Sequence, residues 1–142
     1  MKEIAIKEIM TTELISVSPD TSYEKIKSIF SKNDFHHIPV VNTDRSVAGI
    51  ISRMDWLNSL KDLAEQTAGK VYNQKVLTAM VAKDFMTENP LVLDPDDNIG
   101  LAADIFLANK FHAVPIVEDN QIQGILTAHD LIEYAYTKAP VS

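Results

Sequence analysis

Two short motifs in this chain join a hydroxyl to a carboxylate three residues on: Ser52-Arg53-Met54-Asp55 and Thr127-Ala128-His129-Asp130. Each stands where a strand-like run gives way to a helical one. At such a junction, free backbone N–H groups and the positive end of the helix dipole favour phosphate, and the hydroxyl adds a donor. A carboxylate held at the first turn can accept hydrogen bonds from the vicinal hydroxyls of a ribose, as acidic residues do in dinucleotide-binding folds. The same spacing also suits a plain helix cap. A capping box prefers Glu or Gln at its third position because Asp reaches back poorly, so aspartate in both motifs favours binding; both roles are compatible.

Arg53 distinguishes the two motifs, since its counterpart is Ala128. A guanidinium there offers bidentate bonding to phosphate, or it is a solvated surface arginine. His36, His37, His112 and His129, with Asp34 and Asp130 nearby in sequence, raise the question of a metal. His36 and His112 precede equivalent strands, where a half-buried histidine satisfies its own hydrogen bonds, so no metal site is assigned. His37 and His129 are candidates to line a cleft and touch phosphate. Trp56 lies on an apolar helical stripe, which favours core or dimer contact over a nucleobase stack. Met10, Met54, Met80 and Met86 are packing residues on the simplest reading. No Walker loop, GxGxxG, HExxH or GxSxG occurs, and with no cysteine there is no thiol nucleophile or cysteine-bound metal. Nothing supports an enzyme, although a small metal-assisted hydrolase is the alternative the histidines leave.

The composition bounds the class. The chain has 142 residues, 46% hydrophobic and 23% charged, with a formal net charge of -7. That fits one globular domain or two small ones packed together. The acidic balance, without a basic block, argues against nucleic acid and anionic membrane as partners. No apolar run approaches the roughly 18 residues of a membrane span or forms a secretory core, so a cytoplasmic location is expected.

What positions the two motifs is an internal repeat. A shift of 76 residues brings 12 identities into register over the 36 positions from Ile6 to Val41. Roughly two would arise by chance. Among them are Lys7 with Lys83, Met10-Thr11 with Met86-Thr87, Pro19-Asp20 with Pro95-Asp96, and Phe35-His36 with Phe111-His112. From Gly49 the register becomes 75, placing Gly49-Ile50 on Gly124-Ile125 and Asp55 on Asp130. One residue lost at a hairpin turn is readily tolerated.

Each copy has the same expected elements. Ser16-Val17-Ser18 and Val92-Leu93-Asp94 are short extended segments ending at Pro-Asp turns. A helix follows, its apolar face built from Tyr23, Ile26, Ile29 and Phe30 in one copy and Ile99, Ala102, Ala103 and Phe106 in the other. Ile38 to Val41 and Val47 to Ile51 are strands, as are Val114 to Val117 and Ile122 to Leu126. A second helix carries Trp56, Leu57, Leu60, Leu63 and Ala64, or Leu131, Ile132 and Ala135. The expected organisation is repeat 1 over 1–68, a packed connector over 69–81 with Gly69 as a helix stop, and repeat 2 over 82–142.

From about Ile6 to Tyr136 these motifs, ordered and duplicated, resemble a tandem pair of cystathionine-beta-synthase-type (CBS) domains, a Bateman module. Its carriers are Lys7 to Thr11 with Lys83 to Thr87, the Pro-Asp turns, Phe35 to Val41 with Phe111 to Val117, and above all Gly49 to Asp55 with Gly124 to Asp130. The resemblance implies an α/β (α+β) fold of two β-α-β-β-α repeats related by a pseudo-two-fold axis. It implies a regulatory sensor without catalytic cofactor, binding AMP, ADP, ATP or S-adenosylmethionine in clefts between the repeats. It further implies a homodimer through the second helices and an effector protein that receives the signal. By the same resemblance Thr127 and Asp130 hold ribose and phosphate while adenine lies against Ile15, Val17, Ile38 and Pro39. Ser52, Arg53 and Asp55 pair likewise with Leu91, Leu93, Val114 and Pro115, and Ala113 corresponds to His37. A ligand-free dimerisation or adaptor module is the competing reading.

Overall fold

The computed structural model describes residues 3–66, 70–109 and 111–137, which divide into two compact units. The first unit is residues 15–89; the second joins 1–14 to 90–142.

In the first unit, Ser22 caps helix α1 (Tyr23–Lys32) by accepting from Lys25 N at 3.2 Å. The four apolar residues expected on its face, Tyr23, Ile26, Ile29 and Phe30, are all buried. Strands β1 (His37–Val41) and β2 (Val47–Ser52) pair antiparallel, with Pro39 opposite Ile50. Helix α2 (Arg53–Gln66) leaves β2 directly, followed by α3 (Lys70–Ala79), the short α4 (Ala82–Phe85) and strand β3 (Thr87–Glu88), which adds to the free edge of β2. The core of this unit draws on Val17, Ile38, Val40, Ile51, Trp56 and Phe85, with Leu77 and Met80 packed against it. The connector is therefore mainly the helix α3, while Gly69 and the side chains of Ala64 and Tyr72 lie outside the described residues.

The second unit repeats the plan with α5 (Ile99–Asn109), β4 (Ala113–Glu118), β5 (Gln121–Thr127) and α6 (Ala128–Thr137). Its core combines Ile6 with Leu93, Ile99, Phe106, Val114, Ile116 and Leu126. The short extended segments appear as single parallel bridges, Val17 to Val40 and Leu93 to Ile116.

The units and the sequence copies have different boundaries. The segment that opens each copy packs in the unit holding the other copy's sheet. Ala82 N donates to Thr21 O at 2.8 Å and Lys83 N to Pro19 O at 3.0 Å; in the second unit, Ile6 N donates to Asp97 O at 2.8 Å and Lys7 N to Pro95 O at 2.9 Å. Two ion pairs follow the same exchange: Lys83 with Asp20 at 3.8 Å and Lys7 with Asp96 at 2.8 Å. The Asp96 hydrogen bond holds the Lys7 ammonium above its ordinary pKa. Sequence repetition marks copies of a motif, whereas packing decides which surface each segment covers.

The repeated glycines have their cause here. A Cβ on Gly49 would stand 2.6 Å from Met86 Sδ and 2.7 Å from Thr87 O. The exchanged Met-Thr segment crosses the strand so closely that a side chain would collide with it. Met10 and Met86 pack as expected, but Met54 is 66% exposed and is not a packing residue.

Candidate functional site

Both Ser/Thr-x-x-Asp motifs sit at the junction the sequence implied, β2 into α2 and β5 into α6. Each helix start is fastened to the loop before its sheet: Arg53 N donates to His36 O at 2.6 Å, and Ala128 N to His112 O at 3.0 Å. His37 stands opposite Ser52 in one hairpin and Ala113 opposite Thr127 in the other. Within each unit, then, the first strand's start and the second helix's first turn converge.

The two motifs differ in their hydrogen bonds. In the second unit Asp130 N donates to Thr127 Oγ1 at 3.0 Å while Thr127 N donates to Asp130 Oδ2 at 3.0 Å, a complete reciprocal cap. This corrects the expectation that aspartate reaches back poorly: the Asp130 carboxylate reaches Thr127 N and closes the box. Thr11, which motif spacing did not single out, adds hydroxyl contacts to both Asp130 oxygens at 3.4 Å. The signal for it was its identity with Thr87 in the other copy. In the first unit only half the box exists, with Asp55 N donating to Ser52 Oγ at 3.0 Å. Among the described residues the Asp55 carboxylate has no protein donor, and the residue is exposed.

A cavity of about 200 Å³ opens beside Asp130, lined by Glu8, Ile9, Met10, Glu133 and Tyr134 as well. Three carboxylates around it repel phosphate and suit hydroxyl donors better. His129 is exposed, its Nε2 3.6 Å from Glu133.

Arg53 takes a task that neither sequence alternative described. Its Nη2 donates to the carbonyl oxygens of Phe30 and Asn33 at 2.8 Å and of Phe35 at 3.0 Å, and its guanidinium carbon lies 4.9 Å from the Phe30 ring centroid. The last carbonyls of a helix have no intrahelical donor, so a cation there satisfies them and meets the negative dipole end. It is thus neither a freely solvated arginine nor an unengaged phosphate clamp.

The residues assigned to an adenine wall separate by burial. Val17, Ile38, Leu93 and Val114 belong to their units' cores, and Pro39 and Pro115 are fully buried. Their side chains are spent on packing, and the Pro39 and Pro115 carbonyls accept from Val17 N and Leu93 N. Only Ile15 and Leu91, 43% and 44% exposed, offer apolar side-chain surface. His36 and His112 are exposed, not half-buried as expected, because the strand begins after them. Among the described residues no three His or acidic side chains gather as metal ligands, and no helix is long and apolar enough to cross a membrane.

Trp56 takes the core side of the core-or-dimer reading. It is 3% exposed, with ring centroids 5.2 Å from Tyr23, 6.0 Å from Phe30 and 4.6 Å from Phe85. A side chain so enclosed belongs to the core and cannot sit on a dimer stripe.

Comparison with known proteins follows this geometry. An uncharacterised protein of Methanocaldococcus jannaschii, MJ1426, is 31% identical over 90% of this chain and 89% of its own length. The chloroplastic CBS domain-containing protein CBSX1 of Arabidopsis thaliana is 29% identical over 92% of this chain and 63% of its own. The chain spans only 32% and 46% of two further relatives from the same archaeon, MJ1404 and MJ1225. Among solved structures, CBSX2 in complex with AMP is 28% identical, with a TM-score of 0.75 over 93% of this chain and 96% of that one. The CBS domain pair of MJ0100, solved with 5'-methylthioadenosine and S-adenosylmethionine, shares the fold at 20% identity, with a TM-score of 0.77 over 97% and 100%. The CBS domain family matches residues 6–62 and 82–137, the two copies found by internal comparison, and the chain belongs to that family.

Proposed function

We propose that this CBS pair is a regulatory module that binds adenosine nucleotides at its Ser/Thr-x-x-Asp junctions and passes the signal to an effector protein. The observation that carries the reading is the Asp55 carboxylate, which stands on the first turn of α2 with no protein donor among the described residues. An exposed acceptor beside Ser52 is available to a ribose. The AMP complex of CBSX2 supports the ligand class.

The reciprocal cap at Thr127 and Asp130 favours the adaptor reading for the second repeat, because both its polar groups are already used. We therefore assign the stronger nucleotide contact to Asp55. Titration calorimetry with AMP, ADP, ATP and S-adenosylmethionine tests this. A charge-assisted hydrogen bond is worth about 1.5–3 kcal/mol, so Asp55→Ala should weaken binding roughly ten- to a hundredfold. Absence of any adenosine ligand binding below about millimolar would leave the adaptor function in its place.

A homodimer through α2 and α6 belongs to the same proposal. Leu57 at 52% and Ile132 at 67% exposure give those helices apolar surface free for association.

A further inference from the structure

Each junction has to hold the first turn of a helix in place, and the two copies do so by different means. In the second unit the carboxylate does it. Asp130 accepts from Thr127 N at 3.0 Å and contacts the Thr11 hydroxyl at 3.4 Å, while the residue equivalent to Arg53 is Ala128. In the first unit the arginine does it. Arg53 Nη2 holds the carbonyl oxygens of Phe30, in the last turn of α1, and of Asn33 and Phe35 just beyond it, and Arg53 N donates to His36 O. One residue thus gathers the whole loop between α1 and β1 onto the start of α2.

A second brace lies three residues on. The Arg53 guanidinium stands 4.9 Å from the Phe30 ring centroid, and the Trp56 ring packs 6.0 Å from the same ring. Residues on both sides of Asp55 are therefore anchored to α1, and its carboxylate is left with no protein donor among the described residues. The Nη2 nitrogen carries only two protons, which three carbonyls already share, so its charge is directed at the fold and away from a phosphate.

We propose that Arg53 is a positioning residue for the first junction: by fastening α2, it releases Asp55 from capping and presents its carboxylate to the ligand. This rests on the nucleotide reading above. Adenosine and AMP, which differ by the phosphate alone, are the probes, titrated calorimetrically where circular dichroism shows each variant folded. Misplacing Asp55 forfeits part of a charge-assisted hydrogen bond, so Arg53→Ala should raise both dissociation constants by roughly three- to tenfold and leave their ratio unchanged. Added to Asp55→Ala, it should weaken neither ligand further, because residues that act through one another are not additive. A loss for AMP but not adenosine would make Arg53 a phosphate ligand and overturn the proposal. Unchanged affinities, or additive losses in the double variant, would overturn it as well. If wild type binds neither probe, the nucleotide reading fails, and hydrogen exchange without ligand decides the positioning role. The Asp55 amide, which donates to Ser52 Oγ, should lose protection in Arg53→Ala while the Asp130 amide keeps its own. Unchanged protection at Asp55 would overturn the proposal.

Discussion

The carbonyl oxygen of Thr11 lies 2.7 Å from the point where a Cβ on Gly124 would stand. Thr11 and Ile125 exchange two backbone hydrogen bonds at 2.9 Å, so the segment cannot back away without breaking them. Gly124→Ala should cost about 1–3 kcal/mol by overpacking, and Gly49→Ala, against Thr87 O at 2.7 Å, should cost as much. Urea unfolding of both variants checks this; a neutral Gly124→Ala would mean that the crossing segment is loosely held.

The unequal caps predict unequal stability effects at equivalent aspartates. Asp130→Ala removes the acceptor of Thr127 N and should lose about 0.5–1.5 kcal/mol. Asp55→Ala removes a carboxylate with no protein donor among the described residues and should leave the melting temperature nearly unchanged. Differential scanning calorimetry without ligand measures both.

Enclosure of Trp56 by three rings separates folding from association. Trp56→Ala should destabilise the protein by roughly 3–5 kcal/mol, as large core deletions do. Leu57→Asp/Ile132→Asp, on exposed positions, should keep the fold but reduce the sedimentation coefficient of a dimer to that of a monomer. A double variant that sediments as wild type would exclude these helix faces from the contact.

Arg53→Ala should cost about 1.5–3 kcal/mol, because the carbonyls of Phe30 in the last turn of α1 and of Asn33 and Phe35 just beyond it lose a charged donor together. Hydrogen exchange at the last turn of α1 should accelerate with it. Unchanged exchange there would show that water replaces the guanidinium without penalty.

Ser46 holds the Asp44 carboxyl below its ordinary pKa through its hydroxyl and amide hydrogen bonds. A carboxyl lowered on folding favours the folded state above its unfolded value of about 3.9, and that contribution disappears as pH falls through the folded value. Ser46→Ala should raise the Asp44 midpoint in a carboxyl carbon NMR titration. No movement would leave the hydroxyl without influence on the charge.

Periodicity was enough to find α1, because Tyr23, Ile26, Ile29 and Phe30 had only one face to bury and did bury it. The hairpins followed from apolar runs interrupted by polar turns. Exchange of the opening segments was not legible, since the sequence of Met10-Thr11 is equally suited to either sheet and only chain geometry selects one. Arg53 was misjudged for a related reason: its partners are backbone carbonyls, which carry no sequence signal. The buried adenine-wall candidates show the limit of hydrophobicity as a guide, because Ile38 and Val114 look the same in sequence whether they face a ligand or a core. Thr127 and Asp130 are legible as a pair, while the closure of their cap by an aspartate is seen only in three dimensions.

The exchange of opening segments bears on the order in which the chain is made. Residues 15–89 complete the first unit as soon as they leave the ribosome, whereas residues 1–14 belong to a unit whose remainder begins at Pro90. At about 5–20 residues per second, the strands and helices of 90–142 take roughly 3–10 s to emerge. Through that interval Ile6, which ends with no exposed surface at all, has no core to enter. The opening segment of the first repeat, made before the unit it completes, is thus among the last parts of the pair to settle, with its apolar residues open to chaperones during the wait.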